Sequence, residues 1–235
     1  MVGTIINFAA ILLGGGMGLI LGNRLSERVR SSLMNGLGLF TFLYGVRLFF
    51  DTKNAMAVLI SLVIGILLGE WWRLEEGLNN IGIWLEKKFN NRNLTDSSRF
   101  IKGFLTTSLL FSIGPMAILG SLQDGLTGDF NVLAIKAIID GISSIAFASS
   151  LGFGVLFSSV VVFIYQGAIT LLAGSLQNIL TGDILIEVNA IGGVMLAGLA
   201  ISSLLEIRKI RVANFLPGFL VVPLVVLAFK FLGIY

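Results

Sequence analysis

Read by its hydrophobic and polar positions, the chain is a series of long apolar runs parted by short polar interruptions. A run of ~20 apolar residues crosses a bilayer as a helix, because no other open segment satisfies its own backbone in hydrocarbon. On that rule spans are predicted at Gly3–Gly22, Ser31–Phe50, Ala55–Trp72, Phe104–Leu122, Phe130–Leu151, Phe153–Leu176, Val188–Leu205 and Phe215–Ile234. The fifth and sixth are parted only by Ser149-Ser150-Leu151-Gly152, so a single broken or re-entrant segment is the alternative there. The predicted fold is all-α, a polytopic transmembrane bundle of about eight helices.

One connection departs from this rhythm. After Trp71 and Trp72 a charged stretch runs from Arg73 to Lys102, and within it Leu74, Leu78, Ile81, Trp84, Leu85 and Phe89 recur at three-to-four spacing. Glu75, Glu76, Glu86, Lys87 and Lys88 fall largely off that stripe, which predicts an amphipathic helix lying in the membrane interface.

Composition sharpens the picture. Of 235 residues 56% are hydrophobic and 12% charged, against roughly 25% charged in soluble domains. Cysteine and histidine are both absent. That removes disulfides, thiolate chemistry and the usual zinc, copper and haem ligands, so no cofactor is expected and an ion site would use oxygen. The pI of 9.4 would suit nucleic acid, but the basic residues sit in short loops beside apolar runs, where they set topology. No nucleic-acid partner is expected; membrane lipid and a small solute or ion are. The first span has no basic segment before it, unlike a cleaved signal, and is expected to stay.

Arg24, Arg28 and Arg30, then Arg73, Lys87, Lys88, Arg92, Arg99 and Lys102, then Arg208, Lys209 and Arg211 fall in alternate loops. The opposite loops hold Asp51, Asp124, Asp129, Asp183 and Glu187, with Lys53 as their base. The basic loops are therefore predicted to be cytoplasmic, with both termini outside and an even number of spans.

Two stretches resemble each other. Gly16-Met17-Gly18-Leu19-Ile20-Leu21-Gly22 is echoed by Gly114-Pro115-Met116-Ala117-Ile118-Leu119-Gly120, Asn35-Gly36-Leu37 by Asp140-Gly141-Ile142, and Gly65 by Gly167, all in the same order. This predicts a 3+3 inverted repeat followed by two further helices. The chain divides accordingly into a three-helix unit over 1–72, a connector over 73–102, a second unit over 103–176 and two helices over 177–235. In the echo, Asp140 falls near the middle of its span while Asn35 lies near the start of its own.

Polar residues inside the spans carry the candidate chemistry. Asp140 falls near the predicted midplane, where a carboxylate costs about 2.5–3.5 kcal/mol, and Lys136 stands one turn earlier on the same face. Either the pair faces a wet cavity as a proton- or cation-linked site, or it neutralises itself and merely orients the helix. Ser143 and Ser144 follow as oxygen donors, and Asn35 is the counterpart the repeat implies. Gly114-Pro115 should break the fourth span, since proline removes an N–H and clashes with the carbonyl of Phe111. Gln123, Asp124, Thr127 and Asp129 then line a vestibule or a plain polar hairpin. Gln166 is expected to bond between helices, with contact to the transported solute or ion as the alternative. Gly14, Gly18 and Gly22 form a small-residue face that packs within the chain or between copies in a homo-oligomer. No nucleophile has a base beside it and no phosphate loop follows a strand, so no enzyme is expected.

The run Gly114-Pro115-Met116-Ala117-Ile118-Leu119-Gly120-Ser121-Leu122-Gln123-Asp124-Gly125-Leu126-Thr127-Gly128-Asp129 is distinctive. With Gly3-Thr4-Ile5-Ile6-Asn7, Gly14-Gly15-Gly16, Asp140-Gly141 and Arg211-Val212-Ala213-Asn214, it resembles the bacterial inner-membrane family catalogued as domain of unknown function 554. The resemblance covers essentially the whole chain and implies a small bacterial plasma-membrane protein, with no established substrate and no assigned catalytic residue. The expected function is a small secondary transporter or ion-translocating protein. The alternatives are a passive oligomeric channel and a non-transporting scaffold or stress component working through the amphipathic helix.

Overall fold

The computed structural model describes residues 1–22, 24–89, 94–177, 179–180 and 182–235, with the side chains of 89 and 94–97 outside that description. Arg92, counted above among the basic loop residues, lies outside it. No strand occurs among the described residues. The helices are α1 Val2–Gly22, α2 Glu27–Phe50, α3 Ala55–Trp72, α4 Leu74–Phe89, α5 Leu94–Ser112, α6 Pro115–Leu126, α7 Asn131–Leu151, α8 Gly154–Leu171, α9 Ala173–Leu176, α10 Gly182–Leu199 and α11 Gly218–Phe231. Among the described residues seven helical segments are long and apolar enough to cross a membrane, or eight spans when the bent α5–α6 pair counts as one. Their outward faces carry large apolar side chains such as Leu13, Phe40, Leu67, Ile138, Ile164 and Leu224, all exposed, as lipid-facing helices require.

Local chemistry sets the boundaries. Asn54 caps α3, its side chain accepting from the Ala57 N–H at 3.1 Å. Gly152, with φ of 81°, turns α7 into α8; a left-handed residue there favours glycine. The fifth and sixth spans are therefore separate helices. Pro115 opens α6 directly after Gly114, whose φ is 142°, and α5 and α6 meet at 61°. The proline thus breaks the helix rather than kinking it. The fourth span also proves longer than Phe104–Leu122: its two limbs cover Ser98–Ser112 and Pro115–Leu126.

Near the chain's end the boundaries shift too. Asp183 and Glu187, read above as loop residues, lie in the first two turns of α10. A buried carboxylate is tolerated there because Glu187 is hydrogen-bonded, which hydropathy does not register. α10 continues as a π-helical turn over Ala200–Leu204. A short 3₁₀ turn at Val212–Phe215 precedes α11.

The chain forms two compact units: 1–37 with 79–176, and 38–78 with 177–235. In the first, the ends of the helices can be matched. At one end the Gly3 N–H donates to Asp124 at 3.1 Å, Gly3 abuts Leu133, and Gly125 abuts the Thr170 carbonyl. At the other, Gly22 abuts Ser149, Gly154 abuts Phe100, and the Arg99 guanidinium donates to the Ser150 carbonyl at 2.7 Å. Hence α1 and α7 run parallel, and α8 runs back against them. The α5–α6 pair starts at the second end and finishes at the first, so it traverses the unit instead of turning back within it.

Parallel α1 and α7 touch backbone to backbone. A Cβ added at Gly14 would lie 2.1 Å from the Gly141 carbonyl oxygen, and one at Gly18 would lie 2.4 Å from that of Ile145. The Gly14, Gly18 and Gly22 face is thus occupied by α7 within the chain.

In the second unit, α3 and α11 are antiparallel, with Gly65 on Gly218 and Gly69 on Asn214. Glu187 is fully buried and accepts from the Lys53 and Asn54 N–H groups, each at 3.0 Å, from the Thr52 hydroxyl and from the Tyr235 hydroxyl at 2.9 Å. Asp183 beside it binds Lys53 and Lys230 at 2.7 and 2.6 Å.

Candidate functional site

Lys136, Asp140 and Ser144 stand four residues apart on α7, so they share the stripe that faces the interior of the first unit. The Lys136 Nζ lies 2.5 Å from Asp140 Oδ2. α1, drawn close by its glycines, adds Asn7, seven residues before Gly14 and so on the same face. Asn7 Nδ2 donates to Asp140 Oδ2 at 3.0 Å and to Gln166 Oε1 of α8 at 3.3 Å. Four polar side chains from three helices are therefore linked. Asp140 is 4% and Lys136 6% exposed, and Asn7 and Gln166 are fully buried.

Burial of a charge is tolerable only when it is paired and hydrogen-bonded, and the ion pair meets that condition. Its surroundings do not. Asn7 Oδ1, Gln166 Nε2 and the hydroxyls of Thr4, Ser144 and Thr170 are buried without a partner in the protein. Along the broken traverse the hydroxyls of Thr106, Ser108, Ser112 and Ser121 are in the same state. Each such atom costs roughly 1–3 kcal/mol in a dry interior. Among the described residues, all the buried side-chain nitrogens and oxygens without a partner belong to the first unit. In the second unit the polar groups are bonded to one another around Glu187 and Asp183.

The break in α5–α6 adds backbone polarity. Gly114 supplies no side-chain cap to α6, and a helix start carries a partial positive charge with free N–H groups. The α5 limb of 98–112 and the α6 limb of 115–126 are of similar length, which places the break about half-way along the traverse.

The sequence-predicted residues fare differently. Asp140, Lys136 and Gln166 come together, with Ser144 on the same stripe. Ser143 is only half-buried, and Asn35 lies exposed on α2; the amide that meets Asp140 is Asn7 instead. Gln123 and Asp129 are exposed at the end of α6 and beyond it. Asp124 is buried, binding Gly3 and, at 2.9 Å, the Met1 amino group. Asn7 escaped the sequence reading, although its seven-residue spacing from Gly14 was a usable sign that it shares the packed face.

Outside the spans, the Tyr235 phenol is held above its ordinary value, first by burial and then by the adjacent Glu187 carboxylate. No cluster of metal-ligating residues occurs among the described residues.

Long apolar helices with exposed hydrocarbon and a polar interior define a multi-pass helical membrane protein. The chain belongs to the family described as "Protein of unknown function (DUF554)", whose model matches residues 2–227. It is similar to "Uncharacterized membrane protein YdfK" of Bacillus subtilis (strain 168), at 32% identity over all of this chain and 99% of that protein. It is also similar to "Uncharacterized protein YqgA" of Escherichia coli (strain K12), at 31% identity over 93% of each. No solved structure matches it.

Proposed function

We propose that the protein is a small secondary carrier of the bacterial plasma membrane, moving a polar solute or ion through its first unit around Lys136, Asp140, Asn7 and Gln166. One observation carries this reading: among the described residues, all the buried polar side-chain atoms without partners lie in the unit that holds the ion pair, those of Asn7, Gln166 and Ser144 on the linked side chains or their stripe. Evolution tolerates such a deficit where water or a solute meets those groups in turn, and intramembrane ions mark such pathways. The broken traverse supports the same reading, since interrupted backbone at membrane depth lines cavities. Pairs this deeply buried favour a carrier that opens alternately over a standing pore.

The finer topology belongs to the proposal: basic loops in the cytoplasm, both termini outside, and residues 1–72 and 103–176 as inverted repeats. The test is solute entry into proteoliposomes, read by light scattering with glycerol, sodium chloride and ammonium chloride as probes, the last able to enter as ammonia together with a co-carried proton and chloride. Faster swelling than in empty vesicles, lost in Asp140→Asn without loss of the monodisperse elution peak, is expected. Equal rates with and without protein for all three probes would discard the carrier, and unitary currents in planar bilayers would replace it by a channel.

A further inference from the structure

Resting on that reading, we infer that the cluster binds a small monovalent anion together with a proton: Asp140 takes the proton and Lys136 the anion. Charge arithmetic supplies the first argument. The cluster holds one anion and one cation, so it is neutral when Lys136 and Asp140 are paired at 2.5 Å. Protonation of Asp140 removes the negative partner and leaves a buried ammonium. A bound monoanion restores neutrality, and both states then satisfy the demand of a low-dielectric interior. The proton comes from the aqueous side that supplies the anion and leaves with it on the other; no bond besides O–H is made or broken.

The hydrogen bonds on offer point the same way. Both groups touching Asp140, Lys136 Nζ and Asn7 Nδ2, are donors. Gln166 Nε2 is a further donor without a partner, and the free hydroxyls of Ser144, Thr4 and Thr170 can donate too. Asn7 Oδ1 is the one pure acceptor among these buried unpartnered atoms of the cluster. A sodium or calcium ion wants about six oxygen ligands and no ammonium beside it; this set suits an anion.

Other titratable groups on the helices packed against α7 do not displace this assignment. α6 brings Asp124, which is bonded to Gly3 and to the Met1 amino group of α1's end. α8 brings Tyr165, half-buried. α5 brings Arg99 and Lys102 at the opposite end, Arg99 on the Ser150 carbonyl.

The experiment uses the full chain in proteoliposomes with an entrapped pH-sensitive dye. Chloride and nitrate are the anion probes, with sodium gluconate and glycerol as contrasts. An inward chloride or nitrate gradient is expected to acidify the lumen, and an acid exterior to drive radiolabelled chloride inward. Asp140→Asn, which has no carboxylate to carry the proton, should lose the anion-driven acidification of the lumen. Gln166→Leu, which removes a donor and leaves the charge pair, should weaken the apparent anion affinity roughly tenfold. In detergent, nitrate should raise the melting temperature of the wild type more at low pH than at neutral pH, and this shift should vanish in Lys136→Met. Flux of sodium or glycerol without anion-linked proton movement would overturn the anion assignment while keeping the carrier. Absence of flux for all probes, with no nitrate-dependent melting shift, would overturn both.

Discussion

Two buried acids, Asp140 and Glu187, differ in what their neighbours have left unspent. Glu187 accepts two backbone N–H groups and two hydroxyls, so its oxygens are saturated and the α2–α3 turn is tied to α10. Glu187→Gln puts an NH₂ among donors and should cost roughly 1–3 kcal/mol of stability, read as a lower melting temperature in detergent, with little effect on any flux. An unchanged melting temperature would mean the turn does not depend on this carboxylate. The tie includes Tyr235, whose phenol is raised by burial and by Glu187. A group whose folded value is raised contributes stability fully below the unfolded value, which for tyrosine is about 10, and loses it as pH climbs toward the raised one. The stability gap between wild type and Tyr235→Phe should therefore be constant up to about pH 9 and narrow by pH 11, as thermal melts across that range would show. A gap that widened with alkali would reverse the assignment.

At the level of helices, close approach decides more than hydropathy does. Gly14 and Gly16 are near neighbours on α1, yet a Cβ on Gly14 would strike the Gly141 carbonyl while one on Gly16 meets nothing within 4 Å. Gly14→Ala should force α1 from α7 at a cost of about 1–3 kcal/mol, whereas Gly16→Ala should be neutral or slightly stabilising through helix propensity. Parallel thermal melts decide it, and equal losses would show that the glycine face is not a packed seam. Displacing α1 also moves Asn7 from Asp140, so Gly14→Ala should slow transport as well. This is where the sequence was partly legible. Apolar runs located the helices, Gly114-Pro115 located the break, and four-residue spacing joined Lys136 to Asp140. The seam's partner was not legible, because a repeat of glycines states that something approaches closely without saying what. The internal echo pointed to Asn35 of α2 as the counterpart of Asp140, but the helix α7 accepts is α1, which brings Asn7. The start of α10 was missed because a saturated glutamate looks, in sequence, like a loop residue.

Across the whole chain, the contrast between a unit with unpaired interior polar groups and one without predicts where water enters. The chain has no cysteine, so single cysteines report without background. Ser144 and Ser61 are both fully buried serines in span helices, and a static view of their exposure would rank them as equally unreactive. They differ in that the Ser144 hydroxyl has no partner, while Ser61 donates to the Ala57 carbonyl at 2.7 Å. If the first unit opens during a working cycle, Ser144→Cys should be modified by a small charged thiosulfonate in native membranes at least about tenfold faster than Ser61→Cys. Thiolate formation needs water, so the rate measures wetting of the stripe that carries Lys136 and Asp140 rather than mere mobility of its helix. Nitrate at saturating concentration should protect Ser144→Cys and leave Ser61→Cys unaffected, since the anion would occupy the donors one turn away. Equal, slow modification at both positions would make the first unit as dry as the second, and the unpaired groups would then be a cost of packing with no path behind them.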